Sequence, residues 1–499
     1  MSQPPVKKTR EYGDFQTPQG LARDVCALLN EQGLRPASIL EPTCGLGTFL
    51  FSGLDQFREV KKALGADINA QYIQQAGMTL RRRPDADKAR LVEADFFATD
   101  WDKVISELPE PVLVLGNPPW VTSAQLSTLG SQNLPTKSNF QGRNGLDAVT
   151  GKANFDISEW MLIRLLEAMN GRRGALAMLC KSAVARKTLF HGWKNGIALG
   201  RSALYRIEAD SHFNAAVDAV LLVTHFEPGA HDREAKVFSN LNGATNTETT
   251  IGYADGTLLA DVTAYHRREH LCGDEVVKWR SGVKHDCSKI MELRREGDKY
   301  RNGFGELVDL EDAYLFPMLK SSHVAKGGGG ENRYMLVTQR TVGSDTKEIE
   351  ERAPQTWGYL KAHVNLLNKR GSSIYRNRPP FAVFGVGDYT FAPWKVAISG
   401  FYKKLAFTTV GPVNGKPFVL DDTSYFLSCQ TQAEAEFLAA LLNSPAARAF
   451  YKAFVFWDTK RPVTADLLRR LDLRRLAEEA GSREKFDMHI GRPERLLFV

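Results

Sequence analysis

Six short apolar runs, separated by longer amphipathic stretches, set the pattern of the first 230 residues of this 499-residue chain. They are Ser38–Leu40, Lys62–Ala66, Ala89–Val92, Val112–Leu115, Ala175–Leu179 and Ala219–Val223. Apolar runs that alternate with helical patterns are the sequence form of a parallel sheet covered by helices. One of those helices is explicit. Ile157, Met161, Leu162, Leu165, Leu166 and Met169 recur at helical spacing, and Asn170-Gly171 ends the run.

The chain is too long for one ordinary domain of ~100–200 residues. Its 43% hydrophobic and 25% charged residues exclude disorder and a disulfide mini-protein. No apolar run reaches the ~18 residues that span a bilayer, and the start, MSQPPVKKTR, lacks a secretory core, so a cytoplasmic protein without a membrane partner is expected. The six cysteines form no CxxC pair. His270-x-Cys272 and His285-x-Cys287 lack the cysteine spacing of ~2–4 residues seen in zinc sites, so no metal is expected.

Residues 121–152 break the rhythm with Ser, Gln, Asn, Gly and Thr, and a stretch of that length inside a domain is usually functional or disordered. Sequence from 231 is polar and irregular, and Gly327–Gly330 reads as a hinge or loop tip. A second folded unit follows, with β-type runs at Phe381–Phe384, Lys395–Ile398 and Ser424–Leu427 and a helix over Gln432–Leu442. Residues 1–230 carry 26 basic and 24 acidic side chains, residues 231–330 carry 14 and 16, and residues 331–499 carry 25 and 18. The overall +7 therefore resides in the last third, interleaved with Trp357, Tyr375, Tyr389, Trp394, Phe401 and Tyr402. Basic groups can neutralise phosphates while aromatic faces pack on bases.

The fourth apolar run ends in Asn117-Pro118-Pro119-Trp120. Two prolines stiffen the turn and remove two backbone donors, which leaves carbonyls free to accept hydrogen bonds. Asn117 Oδ1 and the Pro118 carbonyl can each accept one N–H of a planar exocyclic amine, and Trp120 can stack on a flipped base. Asn avoids the cost of an extra buried charge. Upstream, Glu41-Pro42-Thr43-Cys44-Gly45-Leu46-Gly47 follows the first run. Its glycines allow close approach of a ligand and its carboxylate attracts a cation. Leu50 stands where a dinucleotide fingerprint needs a third glycine, and no Gly-Lys-Ser/Thr follows for a nucleoside triphosphate. Asp67 ends the second run, where a carboxylate can hold ribose hydroxyls. Asp95 and Phe96 follow the third, suited to an adenine amino group and its ring.

This order of motifs over residues 12–226 resembles the gamma-type, TaqI-like and Eco-type adenine-specific DNA methyltransferases. The resemblance implies a Rossmann-like class I methyltransferase sheet with helices on both faces and a C-terminal α+β target-recognition domain. Tyr12–Pro18 is similar to the family's N-terminal motif, with Thr17 touching the methionine part of S-adenosylmethionine. Glu41, Thr43, Gly45 and Gly47 then belong to the cofactor loop, Asp67 is the ribose acid, and Asp95 and Phe96 form the adenine site. Asn117, Pro118, Pro119 and Trp120 are the catalytic motif. Phe213, in His212–Asp218, resembles the later aromatic that sandwiches the flipped base with Trp120. Arg378–Phe381, Asp421–Phe426 and Leu441–Ser444 resemble target-recognition sequence, and Lys284 and His285 are phosphate candidates.

The expected division is a catalytic domain over 1–230, a linker or DNA-facing region over 231–330, target recognition over 331–473 and a basic tail over 474–499. The expected activity is methyl transfer from S-adenosylmethionine to adenine N6 in a short sequence of double-stranded DNA, for restriction–modification or phage defence. Because the cofactor motif begins near residue 12, any restriction endonuclease or defence partner is expected to be a separate protein. Two alternatives stand beside this reading. One is a methyltransferase of RNA or of a protein amide using the same site. The other is a non-catalytic DNA-binding specificity or scaffold subunit.

Overall fold

The computed structural model describes residues 16–121, 156–213, 217–241, 247–275, 277–328 and 332–490. Expectations at Tyr12–Phe15, at 122–152, at Asn214–Ala216, at Gly329-Gly330 and over 491–499 lie outside the described residues. Two compact units divide the chain, residues 1–262 and 263–499.

In the first unit, β1 (Ser38–Glu41), β2 (Lys62–Asp67), β3 (Ala89–Glu93), β4 (Val112–Gly116) and β5 (Gly174–Lys181) pair in parallel. β6 (Leu199–Ile207) and β7 (Ala219–Phe226) follow, and β7 runs antiparallel to both β5 and β6. β8 (Glu234–Phe238), β9 (Thr247–Ala254) and β10 (Thr257–Leu259) extend the sheet, whose order is β3-β2-β1-β4-β5-β7-β6-β8-β9-β10. All six expected runs lie in strands.

Burial explains why they read so clearly. Every residue of β1 and of β4 is buried, as for central strands covered on both faces. Leu113 and Leu115 of β4 share a core with Leu21, Val25 and Leu29 of α1 (Gln19–Glu31) and with Phe49 of α2 (Thr48–Gln56). The alternate residues Val114, Leu176 and Met178 are buried on the other face. Each such leucine contributes ~1.5–3 kcal/mol. Side-chain caps begin three further helices: Asn69 for α3 (Ala70–Leu80), Asp100 for α4 (Trp101–Ser106) and Asp156 for α5 (Ile157–Ala168). Since β2 lies on one side of β1 and β4 on the other, chain progression reverses there. Such a reversal opens a crevice at the carboxyl ends of the strands.

The structure corrects the expected boundaries. Strands β8 to β10 join the first sheet, so the first unit reaches residue 262 rather than 230. They are polar because strand faces at this end of the sheet are exposed: β8 alternates exposed and buried at Glu234–Val237, and β9 begins with exposed Thr247 and Glu248. Strand β6 was missed because Gly200, Arg201 and Ser202 interrupt its apolar run.

Residues 263–330 are no linker. Here β12 (Glu292–Glu296), β13 (Lys299–Arg301), β14 (Leu307–Val308) and β15 (Leu315–Leu319) form a sheet with β16 (Arg333–Leu336) and β19 (Val419–Leu420). A second sheet, in the order β11-β20-β17-β18, comprises Arg280–Ser281, Ser424–Cys429, Trp394–Ser399 and Thr408–Val410. The expected runs at Lys395–Ile398 and Ser424–Leu427 therefore pair with each other. The helix over Gln432–Leu442 is present. The run Phe381–Phe384 is buried except for Phe384, yet it is not a strand. Phe381 sits at φ 62, and side chains satisfy this backbone: Thr338 Oγ1 donates to the Phe381 carbonyl at 2.8 Å and Gln339 Oε1 accepts from Val383 N–H at 3.0 Å. The expected tail contains helices Leu473–Glu479 and Arg483–Ile490, anchored by buried Leu473, Leu476, Ala477 and Phe486.

Candidate active site

The crevice at β1 and β4 is occupied by the loops that the motifs supply. After β1, Gly45 (φ 49) and Gly47 (φ 78) turn the chain into α2. A Cβ on Gly47 would lie 2.8 Å from the Phe51 ring, so that position needs glycine for space as well as conformation, while at Gly45 the positive φ is what calls for glycine. Glu41, 3% exposed, accepts the Leu50 N–H at 2.8 Å and so holds the first turn of α2. Burial raises its pKa well above the usual carboxylate range, the Leu50 N–H works against that rise, and Asp67 adds to it.

Asp67 ties two loops together. Its carboxylate accepts Gly45 N–H and Asn69 N–H, each at 2.8 Å, while its carbonyl accepts Ala94 N–H at 2.9 Å. Phe96 is buried against Trp101 at 4.8 Å between ring centroids, and its carbonyl accepts Trp101 Nε1–H. These loops enclose a cleft of about 820 Å³, open solvent at its mouth included. Thr17, Glu41, Thr43, Gly45, Asp67, Phe96, Asn117 and Pro119 all line it. Eight of the sequence candidates thus converge on one space.

The others lie apart. Gly47 caps α2 behind the lining. Asp95 is exposed and accepts Phe97 N–H at 2.9 Å, while its neighbours Ala94 and Phe96 reach the cleft. Pro118 is buried in the turn. Trp120 and Phe213, the last residue of α7 (Ala209–Phe213), are buried and packed edge to face at 5.2 Å, which leaves no room for a base between them. The two rings bury each other's apolar surface. In the second unit, His285 is 7% exposed, accepts Cys287 N–H at its Nδ1 and faces Glu292 at 3.5 Å. A buried, engaged ring cannot reach phosphate, which corrects that candidate. Lys284 lies 3.6 Å from Asp286.

Several lining residues went unread in the sequence: Ile68, Asn69, Tyr72 and Met161. Ile68, an apolar residue 41% exposed just after the acid that ends β2, carried the clearest signal. Another overlooked feature is a clasp beneath the Asn-Pro-Pro-Trp turn. Lys181 Nζ donates to the Trp120 carbonyl at 3.1 Å and to Asp156 Oδ2 at 2.6 Å, while Ile157 N–H donates to the Val121 carbonyl at 2.9 Å. Val121 and Ile157 are thus joined by a backbone hydrogen bond.

The donor set fits a nucleoside-bearing cation. Thr43 Oγ1 is buried with no hydrogen-bond partner among the described residues, so a ligand atom can satisfy it. The Asp67 carboxylate gives the cleft negative potential, while burial pushes Glu41 towards its neutral form. Burial, then Glu41 and Asp67, push the Cys44 thiol far up, so it is a poor nucleophile.

No family model matches the chain. The Type II methyltransferase M.NspV of Nostoc sp. is 45% identical over 476 residues, covering 95% of this chain and 98% of that protein. Among solved structures, the Type IIL restriction-modification enzyme MmeI, in complex with DNA, superposes with a TM-score of 0.58 at 13% identity, covering 98% of this chain and 73% of MmeI. That likeness supports the fold: a Rossmann-like class I methyltransferase sheet with an additional α+β unit. With the similarity to M.NspV running through both units, the chain belongs to the Type II methyltransferases.

Proposed function

We propose that the chain transfers a methyl group from S-adenosylmethionine to adenine N6 within a short sequence of double-stranded DNA. The convergence of Asn117 and Pro119 with Thr43, Asp67 and Phe96 on one cleft carries this reading. When bound, S-adenosylmethionine supplies an electrophilic methyl group on a sulfonium cation. Thr17, Thr43 and Asp67 would hold it, with Phe96 and Ile68 against its adenine ring. Asn117 Oδ1 and the Pro118 carbonyl accept the two N–H groups of the target amine, which draws its nitrogen towards sp3 and frees the lone pair. Trp120 offers its face to the base once Phe213 swings aside. No side chain has to remove a proton first, because a methylated ammonium is acidic and loses one readily. Positioning is then the main catalytic contribution.

The second unit is the target-recognition part in this reading. The test is transfer of labelled methyl from S-adenosylmethionine to unmethylated genomic DNA, with RNA and protein offered in parallel. Label in DNA as N6-methyladenine is expected. Label in RNA or protein, with DNA untouched, overturns the proposal. A DNA binder that takes up no S-adenosylmethionine identifies a scaffold subunit instead.

A further inference from the structure

Two neighbouring turns of the second unit bring cations and exposed aromatic rings together. The first is Gly400–Lys404, between β17 and β18, and the second is Trp457–Pro462. They touch where Val463 N–H donates to the Gly400 carbonyl at 3.4 Å and where the Arg461 guanidinium lies 4.8 Å from the Phe401 ring centroid. Phe401 is 37% and Tyr402 42% exposed, the one adjacent pair of exposed large apolar side chains among the described residues. Lys403, Lys404 and Lys460 are exposed beside them. The two turns contain four cations against a single acid, Asp458.

This presentation is built into the fold. Ser399 Oγ, itself bonded to Ser321 Oγ, accepts Phe401 N–H at 3.3 Å and Tyr402 N–H at 3.2 Å, and Lys404 N–H donates to the Tyr402 carbonyl at 2.8 Å. A Cβ on Gly400 would meet the Thr423 carbonyl at 2.8 Å, so the turn is seated tightly against its neighbour. A fixed turn that holds two rings in water forgoes apolar burial, and the cations around it suit a polyanion with stackable faces.

We infer that this patch is a DNA contact: Lys403, Lys404 and Lys460 neutralise backbone phosphates while Phe401 and Tyr402 pack against sugar or base. It rests on the proposed function and deepens it by naming a surface through which the second unit grips its substrate. The experiment uses the full chain. Binding to unmethylated genomic fragments is titrated at several salt concentrations, S-adenosylmethionine binding is measured by calorimetry, and methyl transfer to the same fragments is followed. Phe401→Ala with Tyr402→Ala is expected to weaken DNA binding about tenfold. Lys403→Ala, Lys404→Ala and Lys460→Ala together are expected to reduce the slope of log affinity against log salt by about 2–3. Arginine at the same three positions is expected to keep the slope, and every variant to keep S-adenosylmethionine binding. Unchanged affinity and slope in both alanine sets, while the parent chain methylates DNA, overturns the patch alone. An equal loss in the arginine variant also overturns it, since charge would not be what binds. A parent chain that neither binds nor methylates DNA overturns the functional proposal and the patch together.

Discussion

Each unit buries an ionisable side chain, Glu41 in the first and Lys395 in the second, and the two serve different ends. Glu41, 3% exposed, borders a cleft and holds the first turn of α2. Lys395, 1% exposed, sits within a sheet, donates to the Ala392 carbonyl at 2.6 Å and lies 5.7 Å from the Phe426 ring centroid. Burial lowers its pKa to about 7. One buried group stands at the edge of a ligand cleft and the other within a sheet, and burial pushes both towards their neutral forms. The overall balance differs in the same way. Residues 1–262 carry 28 basic and 29 acidic side chains, and residues 263–499 carry 37 and 29. The contrast teaches that chemistry is concentrated in a nearly neutral unit, while the excess charge belongs to the unit assigned to substrate recognition.

Substitutions can break this contrast, beginning with the largest effect. Asn117→Ala should lower methyl transfer by ~10²–10³-fold while calorimetry still detects S-adenosylmethionine binding, because the variant removes a key polar group from the reacting end of the cleft. Lys395→Met should abolish a pH dependence. The folded-state pKa of Lys395 is depressed from 10.5 to about 7, so the stability it contributes is present above pH ~10.5 and lost as pH falls towards ~7. Chemical denaturation of the parent chain should show that loss, amounting to a few kcal/mol at most, and the methionine variant should not.

Asp67→Ala should weaken S-adenosylmethionine binding by about ten- to a hundredfold, since two loop N–H groups lose a charged acceptor. An unchanged affinity would place the ligand away from β2. Glu41→Gln should have the smallest effect. Because the folded-state pKa of Glu41 is raised, the stability linked to it is present at acid pH and lost as pH rises through that value. The glutamine variant should therefore lack this decline in thermal denaturation at neutral pH.

Legibility in the sequence followed burial. β4 and β5 read as strands because sheet neighbours and covering helices leave almost no polar position in them. The cleft residues read well for a related reason: Glu41, Asp67 and Asn117 stand at or just beyond strand ends, where the fold itself places a site. What failed was whatever depends on distant partners. β15 pairs with β19, two residues long and about a hundred positions later, so no local pattern announces either. His285 looked like a surface residue because the segments that enclose it come much later in the chain: Lys284 bridges to Phe384, and Arg370 donates to the His285 carbonyl at 3.4 Å. The contact between Trp120 and Phe213 likewise joins residues about ninety positions apart in the chain.

The most direct test of the central claim is modified-base sequencing of DNA from cells that express the chain, beside cells that express the Asn117→Ala variant. The expected result is N6-methyladenine at one position of a single short motif, present with the parent chain and absent with the variant. Methylated cytosine, adenine methylation without a fixed motif, or an identical pattern with the variant would contradict it.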